Sequence, residues 1–497
     1  MIKEKFSYFL VIVFVIISLA ISFYTLTRQS IRLDEAQSLW VAAKTIPGIL
    51  AYISMDVHVP LYELILHSWL QIFGINIIWA RILSYIFFIA SLPVLYFVSR
   101  QATSKTIALL TVMLYSLSPF IVWYSFEARM YTLFTLVTCI SHYFFLKIIK
   151  TNGQRGEVGY FFSTLLGLFT HYFFTLLILS QIVYLFIWIQ DKKSEQWVIF
   201  EEYKPKELLK NIFIPLFLAG LFFVPWGIYF IIQGAAAATQ PLIPPSSVYN
   251  LLQTVINFLF GFQSATVQTL LIALWPLSVI PIFFIFSKRK AEIPFNNIKY
   301  FIVVTLFPII LVFVISFIKP VFLIRYLIFT APSFFIIFSW ILFQLSRQIS
   351  QALLVLFAFI MLGFLFFQNA SNATPVKEDY RGAANYISKK ASAGDVIAIS
   401  SPFTIYPFEY YYKGQAVIET IPFWDVYKSG RISKFSTERL KTQINNYSKN
   451  YNNVYIILSY DQGYEKKIIN YMDTHYQRLD LKVFSPGLSL REYKLKY

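Results

Sequence analysis

The chain has 497 residues, of which 57% are hydrophobic and only 13% charged. That balance excludes an ordinary soluble enzyme and fits a polytopic membrane protein. The formal net charge of +17 would suit nucleic acid, but the basic residues lie in short clusters between apolar segments, as topology signals do.

In chain order, Lys3 and Lys5 precede an apolar run at 7–25. The run is long and lacks a small-residue cleavage site, so it reads as an uncleaved anchor. The loop 26–77 carries Asp34, Glu35, Asp56, His58, Glu63 and His67 among apolar residues. Short helices along the membrane face are expected there. One begins near Pro47; another begins after Pro60, with Asp56 as a possible cap. Further spans are expected at 78–99, 104–121, 128–147, 209–230, 266–287, 300–318, 322–343 and 350–368, each near the ~20 residues a bilayer needs.

The stretch 160–189 is too long for one span. Lys147, Lys150 and Arg155 precede it, and Lys192, Lys193, Lys204, Lys206 and Lys210 follow it. Both flanks therefore belong inside, and the segment should fold back near Thr170-His171-Tyr172. The count is then about eleven crossings, with the N-terminus inside and the C-terminus outside. Parity also puts Lys288-Arg289-Lys290 and Arg347 inside. The loop at 234–250 is external, and the segment after it reads as a helix on the surface. Cys139, the single cysteine, excludes an intrachain disulfide and a cysteine metal site.

Composition changes near residue 373. The expected division is a membrane domain at 1–372 and an external α/β domain at 373–497. Strands are expected at 394–400, 416–421 and 452–459, and amphipathic helices at 377–391 and 438–447. No internal repeat and no glycine-rich phosphate loop is present.

Four stretches carry chemistry. In RLDEAQSLW, Asp34 and Glu35 sit beside the first membrane helix, where a carboxylate is costly unless used. In WYSFEARMYTLF, Glu127 and Arg129 open a membrane helix; Arg and Tyr there also serve as ordinary interfacial anchors. In THYFF, His171 lies at the expected turn, where a histidine is more often structural than a ligand. In KPVFLIRYLIF, Arg325 lies just inside a membrane helix. It suits either a phosphate or a salt bridge to one of the acids. Carboxylates that accept a proton, arginines that hold a phosphate and a bundle that holds a lipid tail together point to group transfer from a lipid-linked phosphate.

In this order the motifs RLDEAQSLW, DVHVPLYELILHSW, YSFEARMYTLF, THYFF and KPVFLIRYLIF resemble the GT-C fold membrane glycosyltransferases, in particular glycosyltransferase family 39 and the ArnT-like proteins, kin of the protein O-mannosyltransferases. The resemblance covers about residues 1–370, and EDYRGAANYISKKASAGDVIAIS at 378–400 is typical of the region that follows. It implies a polyprenyl-phosphate sugar donor and an acceptor lipid, glycan or protein. Transfer would occur on the external face of a bacterial inner membrane, with inversion. It also implies that Asp34 is the general base and that Glu35 completes an acidic pair. Asp56 and His58 would form the acceptor-side element, and Arg325, Tyr326, Arg129, Glu127, Tyr131 and His171 would surround the donor phosphate. Val59 and Phe126 depart from the family pattern and bear on selectivity. Some relatives bind a divalent metal, for which Asp34, Asp56, His58 and His171 are the available ligands.

A lipid or sugar transporter or flippase is the main rival, since it too needs intramembrane charges; inverted repeats would mark it. A non-catalytic assembly protein that presents the C-terminal domain would tolerate loss of Asp34.

Overall fold

In the computed structural model, residues 2–56, 58–151, 153, 155–192, 205–233, 245–274, 295–344, 347–370, 378–425 and 432–496 are described. The first helix, α1 (Ile2–Arg28), enters the bundle. Three short helices follow: α2 (Leu33–Ala42), α3 (Ile46–Ser54) and α4 (Leu61–Phe73). Next come α5 (Ile77–Arg100), α6 (Lys105–Leu117), α7 (Pro119–Ser125), α8 (Tyr131–Lys150), α9 (Glu157–Thr170) and α10 (Phe174–Lys192). Then α11 (Pro205–Gln233), α12 (Val248–Phe260), α13 (Ala265–Ala273), α14 (Phe295–Ile315), α15 (Ala331–Gln344) and α16 (Arg347–Ala370) complete the bundle.

Among the described residues, eight helices are long and apolar enough to cross a membrane, or ten if each of two bent pairs is one span. The bends are 66° between α6 and α7 and 105° between α12 and α13. Ser118 makes the first bend: its hydroxyl accepts from Ile121 N at 3.3 Å and donates to Phe258 O at 2.6 Å, with Pro119 starting α7. The stretch 160–189 is two helices, α9 and α10, with His171 extended between them. Most of 266–287 and all of Lys288-Arg289-Lys290, like most of the loop at 234–250, fall outside the described residues.

The loop helix expected near Pro47 is α3, which Thr45 caps by accepting from Gly48 N. The loop helices differ from expectation in one detail. Pro60 is the N-cap of α4 with no side-chain cap, so Asp56 does not fill that role. The span expected at 322–343 also begins irregularly: Ile324–Thr330 is a 3₁₀ turn before α15. Arg325 therefore sits on a tight turn rather than on an α-helix.

The C-terminal domain is a small α/β sheet. Its elements are α17 (Tyr380–Lys390), β1 (Val396–Ser400), α18 (Ile405–Tyr411), β2 (Val417–Thr420), α19 (Thr437–Asn450), β3 (Asn453–Ser459), α20 (Glu465–His475), β4 (Gln477–Ser485) and β5 (Leu488–Lys494). The strand order is β2-β1-β3-β5-β4. β1 runs parallel to β2 and β3; β5 runs antiparallel to β3 and β4. Every residue of β1 is buried, as expected of a central parallel strand covered on both faces. The hairpin β4–β5 was not among the expected strands; it turns at Gly487, whose φ of +79° suits glycine. The domain's α18 packs on α2, which joins the domain to the loop helices.

A candidate active site at the mouth of the bundle

Arg32 precedes α2 in extended conformation, and the Glu35 carboxylate reaches back to accept its N–H at 3.0 Å. This contact, the Glu half of a capping box, fixes the first turn, which carries both acids. They point to different places. Glu35 is 1% exposed and paired with Arg81 of α5: Nε–Oε1 is 2.7 Å and Nη2–Oε2 2.6 Å. Its Oε1 also accepts from Ala128 N at 3.1 Å. Both Glu35 oxygens are therefore engaged by Arg81 and backbone N–H groups, a structural partnership beside the catalytic one that the resemblance implies. Asp34 keeps a quarter-exposed side chain and meets Arg325 across 291 residues, with Oδ2–Nη1 at 3.0 Å.

Arg129 lies in the turn between α7 and α8. Its Nη1 donates to Ser38 Oγ at 3.0 Å and to the Asp34 carbonyl at 3.4 Å, and its Nη2 meets His58 Nε2 at 2.6 Å. His58 Nε2 is 3.9 Å from Asp56 Oδ2, and Gln37 donates to that same Asp56 oxygen at 3.3 Å. Thus Asp34, Asp56, His58, Arg129 and Arg325 come together. A small cleft beside them is lined by Gln37, Ser38, Tyr52, Asp56, His58, Glu63 and Arg129.

The remaining candidates flank this group. Tyr326 packs against His171 and Phe173, each at 5.4 Å between rings, with the Arg325 guanidinium 5.5 Å from its own ring. His171 stacks on Phe134 at 4.8 Å, and its Nδ1 accepts from Phe173 N at 3.0 Å; it therefore also stabilises the helix break. Tyr131 meets Tyr124 edge-on at 4.7 Å. Glu127, expected beside the donor phosphate, pairs with Arg32 at 3.0 Å.

The electrostatics separate the acids. Burial alone would raise Asp34, but the guanidiniums of Arg325 and Arg129 outweigh it and hold the carboxyl at about 2. Burial pushes Glu127 up to about 7 in spite of Arg32, and it raises Glu63 as well. Burial lowers His58 to about 4 against the pull of Asp56, and lowers His171 to about 3. A neutral His58 can accept from Arg129. The Nε atoms of Arg129 and Arg325 are buried without a hydrogen-bond partner, so donors remain for an anion.

Asp34, Asp56, His58 and His171 do not assemble as a metal site: among the described residues no group of three or more such side chains is close enough to hold an ion. The sequence reading passed over Arg81, Arg32, Gln37, Ser38 and Tyr52. Arg81 had a signal, since it is an arginine inside an apolar span. The others had none, because polar residues in a short loop helix look like solvated surface.

The sequence model of the dolichyl-phosphate-mannose-protein mannosyltransferase family matches residues 57–199. No curated protein matches the sequence. Among solved structures, apo ArnT from Cupriavidus metallidurans superposes with a TM-score of 0.58 at 12% identity, over 97% of each chain. The same protein bound to undecaprenyl phosphate gives 0.54 at 13% identity, again over 97% of each chain. The fold is therefore GT-C, and the resemblance read from the five motifs is borne out.

Proposed function

We propose that this protein transfers a sugar from a polyprenyl-phosphate donor to an acceptor hydroxyl at the external face of the membrane. The observation that carries the reading is the contact between Asp34 and Arg325: a carboxylate and a guanidinium with free donor capacity meet at the mouth of an apolar bundle. The family match and the likeness to an undecaprenyl-phosphate-bound relative support the donor class.

Asp34 accepts the proton of the acceptor hydroxyl. The acceptor oxygen bonds to the anomeric carbon as the bond from that carbon to the phosphate oxygen breaks. The electron pair leaves with the polyprenyl phosphate, whose charge Arg325 and Arg129 stabilise. One displacement inverts the anomeric configuration. Tyr326 and His171 pack together beside Arg325, and Tyr131 packs on Tyr124. The external face, the inversion and the membrane of residence (a bacterial inner membrane) belong to this proposal.

The test is transfer of label from a panel of polyprenyl-phosphate sugars to envelope acceptors by purified protein. The wild type should transfer from at least one donor. Arg325→Gln should raise the donor KM and lower kcat/KM by about 10²-fold or more. No transfer from any donor, with lipid flipping in liposomes, would establish the transporter reading instead.

The ion pair also sets a pH dependence. In the free enzyme Asp34 is held at about 2. A bound phosphate draws on Arg325 and adds negative charge, and both effects raise the Asp34 carboxyl. The acid limb of kcat, which reports the donor complex, should therefore lie at higher pH than that of kcat/KM for the donor, which reports the free enzyme. Coincident limbs would remove the proposed competition for Arg325.

A further inference from the structure

The reading above leaves the C-terminal domain and the EDYR segment at 378–381 without a role. The structure ties both to the stretch that carries Asp34. Between α1 and α2 the chain runs through Gln29, Ser30, Ile31 and Arg32. From the bundle side Arg81 holds this stretch: its Nη1 donates to Leu26 O at 2.8 Å and Gln29 O at 3.0 Å, and its Nη2 to Ser30 O at 3.0 Å. From the domain side, Arg381 Nη2 donates to Gln29 O and Arg381 N to Ser30 Oγ, both at 3.3 Å. The Tyr411 hydroxyl accepts from Ile31 N at 2.9 Å and from Arg381 Nη2 at 3.5 Å.

The grip extends further. Tyr410 accepts from Ile77 N at 3.2 Å, at the start of α5, which carries Arg81. Tyr406 meets Tyr52 hydroxyl to hydroxyl at 3.1 Å, and Tyr52 lines the cleft. Glu378 is 6% exposed and accepts from Tyr460 at 2.6 Å; both add to the electrostatic surroundings of Arg32, the partner of Glu127. Tyr460 holds a φ of +52°, the one positive value at a non-glycine residue among those described. Tyr406, Tyr410 and Tyr411 thus serve as hydrogen-bonding anchors on the membrane domain.

We propose that the C-terminal domain is a positioning element for the reacting groups: Tyr411 and Arg381 hold residues 29–31 and so set where Asp34 meets Arg325. The physical reason is local. Ile31 is fully buried, so its N–H needs an acceptor, and Tyr411 supplies it. Asp34 lies three residues further along. A displacement near 1 Å at a reacting group costs up to about 10²-fold in rate. The proposal rests on the transferase reading, so one arm of its test does not require transfer.

The experiment uses the full-length protein in lipid nanodiscs, as wild type, Tyr411→Phe, Arg381→Lys and Arg478→Ala. The last removes an exposed pair with Asp473 at the far edge of the sheet and controls for general perturbation of the domain. Amide exchange of the peptide spanning 27–34 should speed up in Tyr411→Phe and Arg381→Lys, and stay at the wild-type rate in the control. With an active donor, kcat should fall about 10-fold in both variants. The acid limb of kcat/KM should rise, because Asp34 drawn away from Arg325 loses its depressing charge. A domain that is merely less stable would reduce the amount of active protein without moving that limb. Unchanged exchange in both variants overturns the proposal, whether or not any donor is turned over. Wild type that transfers from no donor defeats the transferase reading, and the exchange arm still decides whether the domain holds the loop. Should Tyr411→Phe fail to fold, Arg381→Lys carries both arms.

Discussion

Asp34→Asn should leave a folded protein that transfers sugar about 10²–10⁴ times more slowly, the range that general-base catalysis supplies. That corresponds to roughly 3–5 kcal/mol of lost transition-state stabilisation. The fold should tolerate the change, because the Asp34–Arg325 pair is part-exposed and such pairs contribute about 0–1 kcal/mol. Asparagine also keeps the shape. The loss should fall on kcat. With Asp34 neutralised, Arg325 is freer to meet the donor phosphate, so the donor KM should hold or fall. Paired measurement of kcat, KM and thermal unfolding checks all three statements. Full activity in Asp34→Asn would remove it as the base. Retained lipid flipping with no transfer in either protein would favour the transporter.

The adjacent carboxylate should behave in the opposite way. Glu35→Ala leaves Arg81 buried without its anion, and Arg81→Met leaves Glu35 without its cation. Breaking a buried pair by removing one partner costs about 3–5 kcal/mol. Both variants should therefore unfold at much lower temperature and be recovered in low yield. The double variant should recover part of the loss, since the buried charge is gone. It should not recover all, because Arg81 also serves Leu26 O, Gln29 O and Ser30 O. A double-mutant cycle on thermal unfolding in detergent measures this coupling. A Glu35→Ala variant with wild-type unfolding would mean the pair contributes little, and Glu35 would return as a candidate for chemistry.

The contrast between these neighbours shows where sequence reading stops. Asp34 and Glu35 are equivalent in the sequence, both acids at the entrance of a membrane protein. On a helix of 3.6 residues per turn they point about 100° apart. One rotation faces Arg81 inside the bundle and the other faces the mouth. Which is which depends on where α5 lies, and no local pattern encodes that.

Much else was legible, for good physical reasons. Apolar length marked the long helices, because a bilayer needs about 20 residues of hydrocarbon. Charge on both flanks of 160–189 called for a fold-back, and the helix breaks at His171. Short apolar runs in 394–400 and 452–459 marked the central strands, since near-continuous hydrophobic β-branched runs suit a sheet buried on both faces. The hairpin β4–β5 escaped notice because its β4 residues are mostly exposed and its pattern is diluted by Arg478, Asp480 and Lys482.

By itself, then, the sequence determined the solvent this chain lives in, its helical class, the small C-terminal sheet and the list of charged residues available for chemistry. Those properties follow from composition and short-range period. Only the tertiary structure decided the partnerships: Asp34 with Arg325, Glu35 with Arg81, Glu127 with Arg32, and Tyr411 with Ile31. Each joins residues from 46 to 380 positions apart, and such pairings are set by packing of distant helices rather than by neighbours in the chain.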